Sequence, residues 1–295
     1  MQSADFLSAV FFYLKVGENL NQNWIVENLN NAFSTWNGKL GELWGLVTTG
    51  PQTFKGGAVW SVMQTLHNGM VGIGYALVVL FFAISLCKNA MNFPELKRPE
   101  AAIHYLIRFV AAKALVSYGM DIMLNVFSIC NGIVTDMADS MGGISEAMVS
   151  LPAEMQTAIE NVGFLASIPL WLVTILGSLF ITVLSFVMIL TVYGRFFRLY
   201  MYTALAPLPL AAFAGESTQS VGISFLKSYV GVCLEGAVIV LACVIYSAFV
   251  GTPTVTGGEA TTIVWSYLAE TVFNMLVLVG LIKGSDRIIH EMMGL

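Results

Sequence analysis

The side chains in this sequence that could do chemistry are few, and most are set among apolar residues. Arg195 and Arg198 open the stretch YGRFFRLYMYTALAPLPLAAFAGESTQSVGISFLKSYVGVCLEG, residues 193 to 236. Lys227 and Glu235 lie toward its end, and Pro207, Pro209, Gly215 and Glu216 fall between them. Arg108, Lys113, Asp121 and Asn274 are isolated polar residues in other apolar segments. At membrane depth such groups pair with one another, face a wet cavity or snorkel to an interface. The chemistry open to them is charge neutralisation and hydrogen bonding away from bulk water. Glu235, about two helical turns past Lys227, is placed to neutralise Lys227, or Arg195 and Arg198; the alternative is that it reaches headgroup water.

Catalytic and cofactor chemistry find no such support. There is no GxxxxGK[ST] for ATP, no CxxC and no His pair at metal-ligand spacing. Cys87, Cys130, Cys233 and Cys243 lie in or beside apolar runs and read as structural, reduced thiols. His67, His104 and His290 are scattered and suggest no site. The expectation is a non-enzymatic chain without metal or cofactor. With 13 Lys plus Arg, a formal charge of −5 and no basic cluster, it does not read as a conventional nucleic-acid-binding domain.

The elements that must position these residues are membrane helices. The sequence is 57% hydrophobic and 11% charged, with a mean hydropathy of +0.78, which defines an all-α polytopic membrane protein. Residues 1–66 form an N-terminal amphipathic or interfacial region and 67–295 the transmembrane domain. Asp5 argues against a cleavable signal, and Phe6 to Val16 is too short to span. Over residues 22 to 47, Ile25, Leu29, Phe33, Trp36, Leu40, Leu43 and Val47 recur at three- and four-residue steps, with Trp44 beside them. Asn28, Asn31, Ser34 and Lys39 fall off the stripe. A helix lying on the membrane or packed on a neighbouring subunit is preferred over one facing the core of a small domain. Four of the six tryptophans (Trp24, Trp36, Trp44 and Trp60) belong to this region, as expected near headgroups.

Spans are expected at about 70–87, 105–130, 164–193, 229–250 and 262–282. Gly69, Gly72 and Gly74 suit close helix packing in the first. Arg108, Lys113, Asp121 and Asn125 make the second a polar seam or a set of interhelical contacts. Residues 131–163 carry Asp136, Asp139, Glu146, Glu154 and Glu160 with no Lys or Arg, and Gly142-Gly143 breaks them. They read as an acidic external loop with a short helix from Ala153 to Val162. Trp171 and Tyr193 are expected interface anchors of the third span.

Charge then orients the chain. Lys88, Lys97, Arg98, Arg195, Arg198, Lys283 and Arg287 mark cytoplasmic connections, whereas 131–163 and 251–261 have no basic residue. The third span ends inside and the fourth begins inside near Lys227. Residues 199–226, with Pro207 and Pro209, must then enter and return, as a re-entrant or broken element held against protein or a wet cavity. The N-terminal region is placed outside and the C-terminus in the cytoplasm. A sixth span is the alternative if the first helix inserts.

RFFRLYMYTALAPLPLAAFAGE together with SFLKSYVGVCLEGAVIVLA resembles the TrbL-type polytopic membrane subunit of conjugative type IV secretion systems, in its Gram-positive conjugative element and plasmid form. The likeness is strongest over residues 193 to 247. It implies a non-enzymatic part of an inner-membrane translocation channel, working with other membrane subunits and partner ATPases. It also implies a homo-oligomer in the bilayer that meets transferred DNA only transiently. A long external domain or soluble C-terminal extension, seen in some relatives, is not expected from these residues. Two other readings stay open: a small-solute secondary transporter and a non-conducting scaffold. Transporters usually show matched interruptions in two halves, and only one broken segment is expected here.

Overall fold

The computed structural model describes residues 2–90, 99–140, 148–162, 164–249 and 260–294. Its regular elements are helices: α1 (Gln2–Thr48), α2 (Ala58–Ala90), α3 (Pro99–Ser117), α4 (Gly119–Ser140), α5 (Ala153–Glu160), α6 (Phe164–Leu205), α7 (Pro207–Ala211), α8 (Gln219–Phe249) and α9 (Ala260–Met293). Among the described residues no strand occurs. Among the described residues four segments are long and apolar enough to cross a membrane: Phe54–Lys88, Ser167–Leu205, Gln219–Phe249 and Thr262–Met293. A fifth is counted if the bent pair Ile103–Ser117 and Gly119–Asp139 acts as one.

Two compact units divide the chain, one of Met1–Gly45, Met141–Thr191 and Leu241–Lys283, the other of Leu46–Ser140, Val192–Val240 and Gly284–Leu295. In the first, the apolar stripe of α1 is core. Ile25, Leu29, Trp36, Leu40 and Leu43 are fully enclosed and Phe33 nearly so. The preferred surface placement of this helix is therefore corrected: the stripe packs within the chain. Polar residues beside the stripe fasten it, with Asn28 Nδ2 donating to Ser178 Oγ at 2.9 Å. Lys39 Nζ lies 5.8 Å from the centre of the Phe186 ring. Asn37 reads both backbone groups of Val149, donating to its carbonyl at 2.8 Å and accepting from its N–H at 2.9 Å. Tyr267 Oη donates to the Ser150 carbonyl next to it, so α1 and α9 hold one extended segment. Trp24 and Trp171 pack ring to ring at 5.6 Å, partly exposed as expected of anchors, but Trp36 is buried.

The second unit holds α2, α3, α4, the end of α6, α7 and the start of α8. Several expected boundaries move here. α6 runs on past Tyr193 to Leu205, and α8 starts at Gln219, so the break inside 199–226 narrows to residues 206–218. α4 continues to Ser140, so residues 131–140 are helical rather than loop. The second span is not one rod: α3 and α4 meet at a 72° corner around Tyr118 and Gly119. The chain therefore has a second interrupted segment where one was expected. Gly74 is the packing glycine of α2, since a Cβ there would lie 2.9 Å from Val116 and 3.0 Å from the Pro207 carbonyl. Gly69 and Gly72 face open space. Residues 251–259 of the expected turn, and Pro94, Lys97, Arg98, Gly142-Gly143 and Glu146, lie outside the described residues; 260 and 261 already belong to α9.

Candidate functional site

A proline within a helix cannot donate to the carbonyl four residues back. Pro207 thus frees the Thr203 carbonyl, in a place where the helix is buried. His67 of α2 supplies the missing donor: its Nδ1 lies 2.7 Å from that carbonyl, with the ring only 2% exposed. Because a carbonyl can only accept, the proton sits on Nδ1. The α7 turn and the 3-10 turn after it (Ala212–Ala214) then pack on α2 and α3. The proline segment is held by protein, as broken backbone at membrane depth requires. Pro207 and Gly215 are buried, Pro209 half-buried. Glu216 is exposed, and Arg108 reaches toward it at 4.0 Å while donating to Gln219 Oε1 at 3.0 Å. Arg108 thereby ties α3 to the first residue of α8.

Two arginines one helical turn apart on α6 do different work. Arg195 is wholly buried and gives its guanidinium to main-chain carbonyls: Val232 at 3.2 Å and Cys233 at 3.1 Å on α8, and Val47 at 3.4 Å. Val47 lies in the last turn of α1, where carbonyls lack helical partners and a cation complements the helix dipole. Its neighbour Thr48 offers a carbonyl that Asn131 Nδ2 fills at 3.2 Å. Tyr200 Oη donates to Pro51 at 2.8 Å, and Phe54 stacks on Phe196 with centroids 4.0 Å apart. The corner that follows α1 is thus fastened by side chains of α4 and α6. Glycine at 236 makes room for the clamp, because a Cβ would stand 2.8 Å from the Arg195 guanidinium nitrogens.

Arg198 makes the ion pair. Its Nη2 lies 2.6 Å from both oxygens of Glu235, a carboxylate only 1% exposed. Its Nη1 reaches Asp286 of α9 at 2.7 Å. Ser285 Oγ donates to Glu235 Oε1 at 3.3 Å. One buried carboxylate thus draws α6, α8 and α9 together. A buried charge stays ionised only when paired and hydrogen-bonded in this way.

Lys227 takes no part: it is exposed and has no ion pair among the described residues. Asn274 is buried in the other unit. Lys113 is exposed on α3. Asp121 lines a cavity of about 520 Å³ with Asn125, Ser128 and Asn131, which follow it at helical spacing on α4, and with Gln52. Among the described residues no group of three or more His, Cys, Asp or Glu is arranged to hold a metal.

Sequence reasoning missed Asp286 and Ser285, His67 and Gly236. Asp286 lay in what reads as a short tail, and α9 is helical through it. Half of the signal for His67 was available: a proline in a helix leaves a carbonyl to satisfy, but Ser61, Gln64, Thr65 and Asn68 of α2 were donors of equal standing in the sequence.

Such a frame, with apolar spans, a broken segment sealed by a neighbouring helix and a buried ion cluster, defines a multi-pass helical membrane protein. A family profile described as TrbL/VirB6 plasmid conjugal transfer like protein matches residues 36–207, more than half of the chain. The chain belongs to that family and is a membrane subunit of conjugal transfer. Membership brings association with other components of the secretion machine. No curated protein and no solved structure matches it.

Proposed function

We propose that the chain is a channel or assembly subunit of a conjugative type IV secretion machine, helping DNA with bound protein across the cell membrane. Family membership over residues 36–207, which run from α1 to the proline break, carries this reading. The sequence has no nucleotide-binding motif, so the driving force belongs to partner ATPases. Anchored helices around an ion cluster suit a part that other subunits push against. Several copies around one axis would multiply the sparse polar faces of a single chain. The basic connections of the sequence support a cytoplasmic C-terminus and an external N-terminal region. The proposed roles fall to Arg195, Arg198 and Glu235 as anchor, Pro207, Pro209, Gly215 and Glu216 as the broken segment, and Arg108, Lys113 and Asp121 as polar faces. The frame is read as N-terminal region 1–66 and transmembrane domain 67–295.

The α3–α4 corner favours a second reading, a small-solute secondary transporter, because it gives the proline break a counterpart in an earlier span. A photo-crosslinking residue placed at Asn125 or Ser128 in mating cells separates the readings. Transferred DNA recovered on the protein supports the channel. Transfer that proceeds with no crosslink at either position supports a scaffold. Solute uptake into vesicles holding this chain alone would support the transporter.

A further inference from the structure

α4 is divided lengthwise into three faces. Met123, Phe127, Cys130 and Val134 are buried in the second unit. Beside them runs an apolar flank that the chain leaves open, with Ile129 and Ile133 69% and 46% exposed and Tyr118 of the corner 63% exposed. On the far side of that flank, Asp121, Asn125, Ser128 and Gly132 recur at three- and four-residue steps and are also exposed. A helix with open apolar and polar flanks side by side matches the boundary between hydrocarbon and headgroups, where an amphiphile meets both. Tyrosine is a residue type that anchors at that level.

The polar flank forms one wall of the cavity of about 520 Å³, and Gly50, Pro51 and Gln52 form the other. Both walls are fixed by the chain itself. Tyr200 Oη holds the Pro51 carbonyl at 2.8 Å, and the N–H groups of Thr53 and Phe54 close a turn on the Gly50 carbonyl. Tyr229 Oη ties α4 through the Met123 carbonyl at 2.8 Å. Asp121 brings the one formal charge among the lining residues, and no Lys, Arg or His lines the space. A lone phosphate or an anionic lipid head would meet that carboxylate with no cation to offset it. A primary ammonium is attracted to it and can donate hydrogen bonds. Gln52, Asn125 and Ser128 add amide and hydroxyl donors to the same lining. Asn125 stands one turn, about 6 Å, along the axis from Asp121, close to the reach of an amine and a phosphate joined through two carbons.

We propose that this cavity seats the headgroup of a phospholipid carrying a primary ammonium. The amine lies on Asp121, the phosphate on the donors of Gln52, Asn125 and Ser128, and the acyl chains along the flank of Tyr118, Ile129 and Ile133. The open apolar flank selects a lipid over a soluble amine, because only an amphiphile covers both flanks. The site goes beyond the proposed role in transfer, and lipid held by the purified chain is read whatever that chain transfers.

The test uses the full chain, purified in mild detergent and given equal amounts of phosphatidylethanolamine, phosphatidylcholine and phosphatidylglycerol with the same acyl chains. Native mass spectrometry counts the lipids retained. Phosphatidylethanolamine should be retained about fivefold over phosphatidylglycerol, the weight of one partly screened ion pair. It should be retained about twofold over phosphatidylcholine, whose cation has no N–H to donate. Asp121→Asn should bring the three lipids to equal retention. Asp139→Asn, which removes the same charge farther along α4, should leave the ranking as it is. An excess of soluble phosphoethanolamine should not displace the lipid. Phosphatidylethanolamine retained no better than either rival overturns the proposal on the parent chain alone. So does a ranking that survives Asp121→Asn or is lost equally in Asp139→Asn. Displacement by phosphoethanolamine also overturns it, since the head alone would then suffice.

Discussion

The Arg198–Glu235 anchor and the cavity beside α4 both contain polar groups in an apolar helical unit, and they solve the same problem in opposite ways. In the anchor, Glu235 is enclosed and its oxygens meet Arg198 and Ser285. In the cavity, Asp121 and Asn125 are exposed and face open volume. The first arrangement costs desolvation and returns it through charge-assisted bonds, so it holds only as a complete set. The second leaves hydration in place, so its members can be exchanged one at a time. Burial therefore separates the residues that build the unit from those free to meet something that passes.

This contrast is broken most severely at Glu235. Glu235→Ala should cost about 3 kcal/mol, because Arg198 loses its buried partner and keeps only the more exposed Asp286. The readout is steady-state protein in membranes and thermal aggregation in detergent. Exchanging the charges, Arg198→Glu with Glu235→Arg, should recover part of the loss, whereas either single reversal should not. The next effect belongs to the proline break. His67→Phe removes the donor from the Thr203 carbonyl and should cost about 2 kcal/mol. Adding Pro207→Ala restores a main-chain donor, so the double variant should lose less than His67→Phe alone, measured by the same melting assay. A smaller change is expected for Asn131→Ala, about 1 kcal/mol for the lost bond to Thr48. Asp121→Asn should fall within about 0.5 kcal/mol of the parent. If the cavity serves transfer, that variant alters conjugation frequency while stability stays level, and an equal fall in both would place Asp121 with the anchor.

Much of the frame was legible because membrane helices write their period and length into the sequence. The buried stripe from Ile25 to Val47 stands at its expected spacing, and the break at Pro207 lies where two prolines forbid a regular ladder. The side on which the stripe packs was not legible, because an apolar face reads the same whether lipid, a neighbour or the chain itself covers it. The pairing of Glu235 with Arg198 rather than Lys227 was settled by geometry: Lys227 is nearer in sequence, but its side chain is exposed. The corner at Gly119 had no sequence mark of its own, since one glycine in an apolar helix signals packing as readily as a bend. Asp286 was hidden for another reason, as a helix that outlasts its hydrophobic window looks like a tail.

The corner between α3 and α4 has one more consequence. The main-chain ladder reaches Tyr118 from either side: the Tyr118 N–H meets the Ala114 carbonyl, and the Ile122 N–H meets the Tyr118 carbonyl, each at 2.9 Å. Both arms are thus bonded to Tyr118, which is the joint of the elbow. The α4 arm carries the cavity face, and the α3 arm carries Arg108, which grips the first residue of α8.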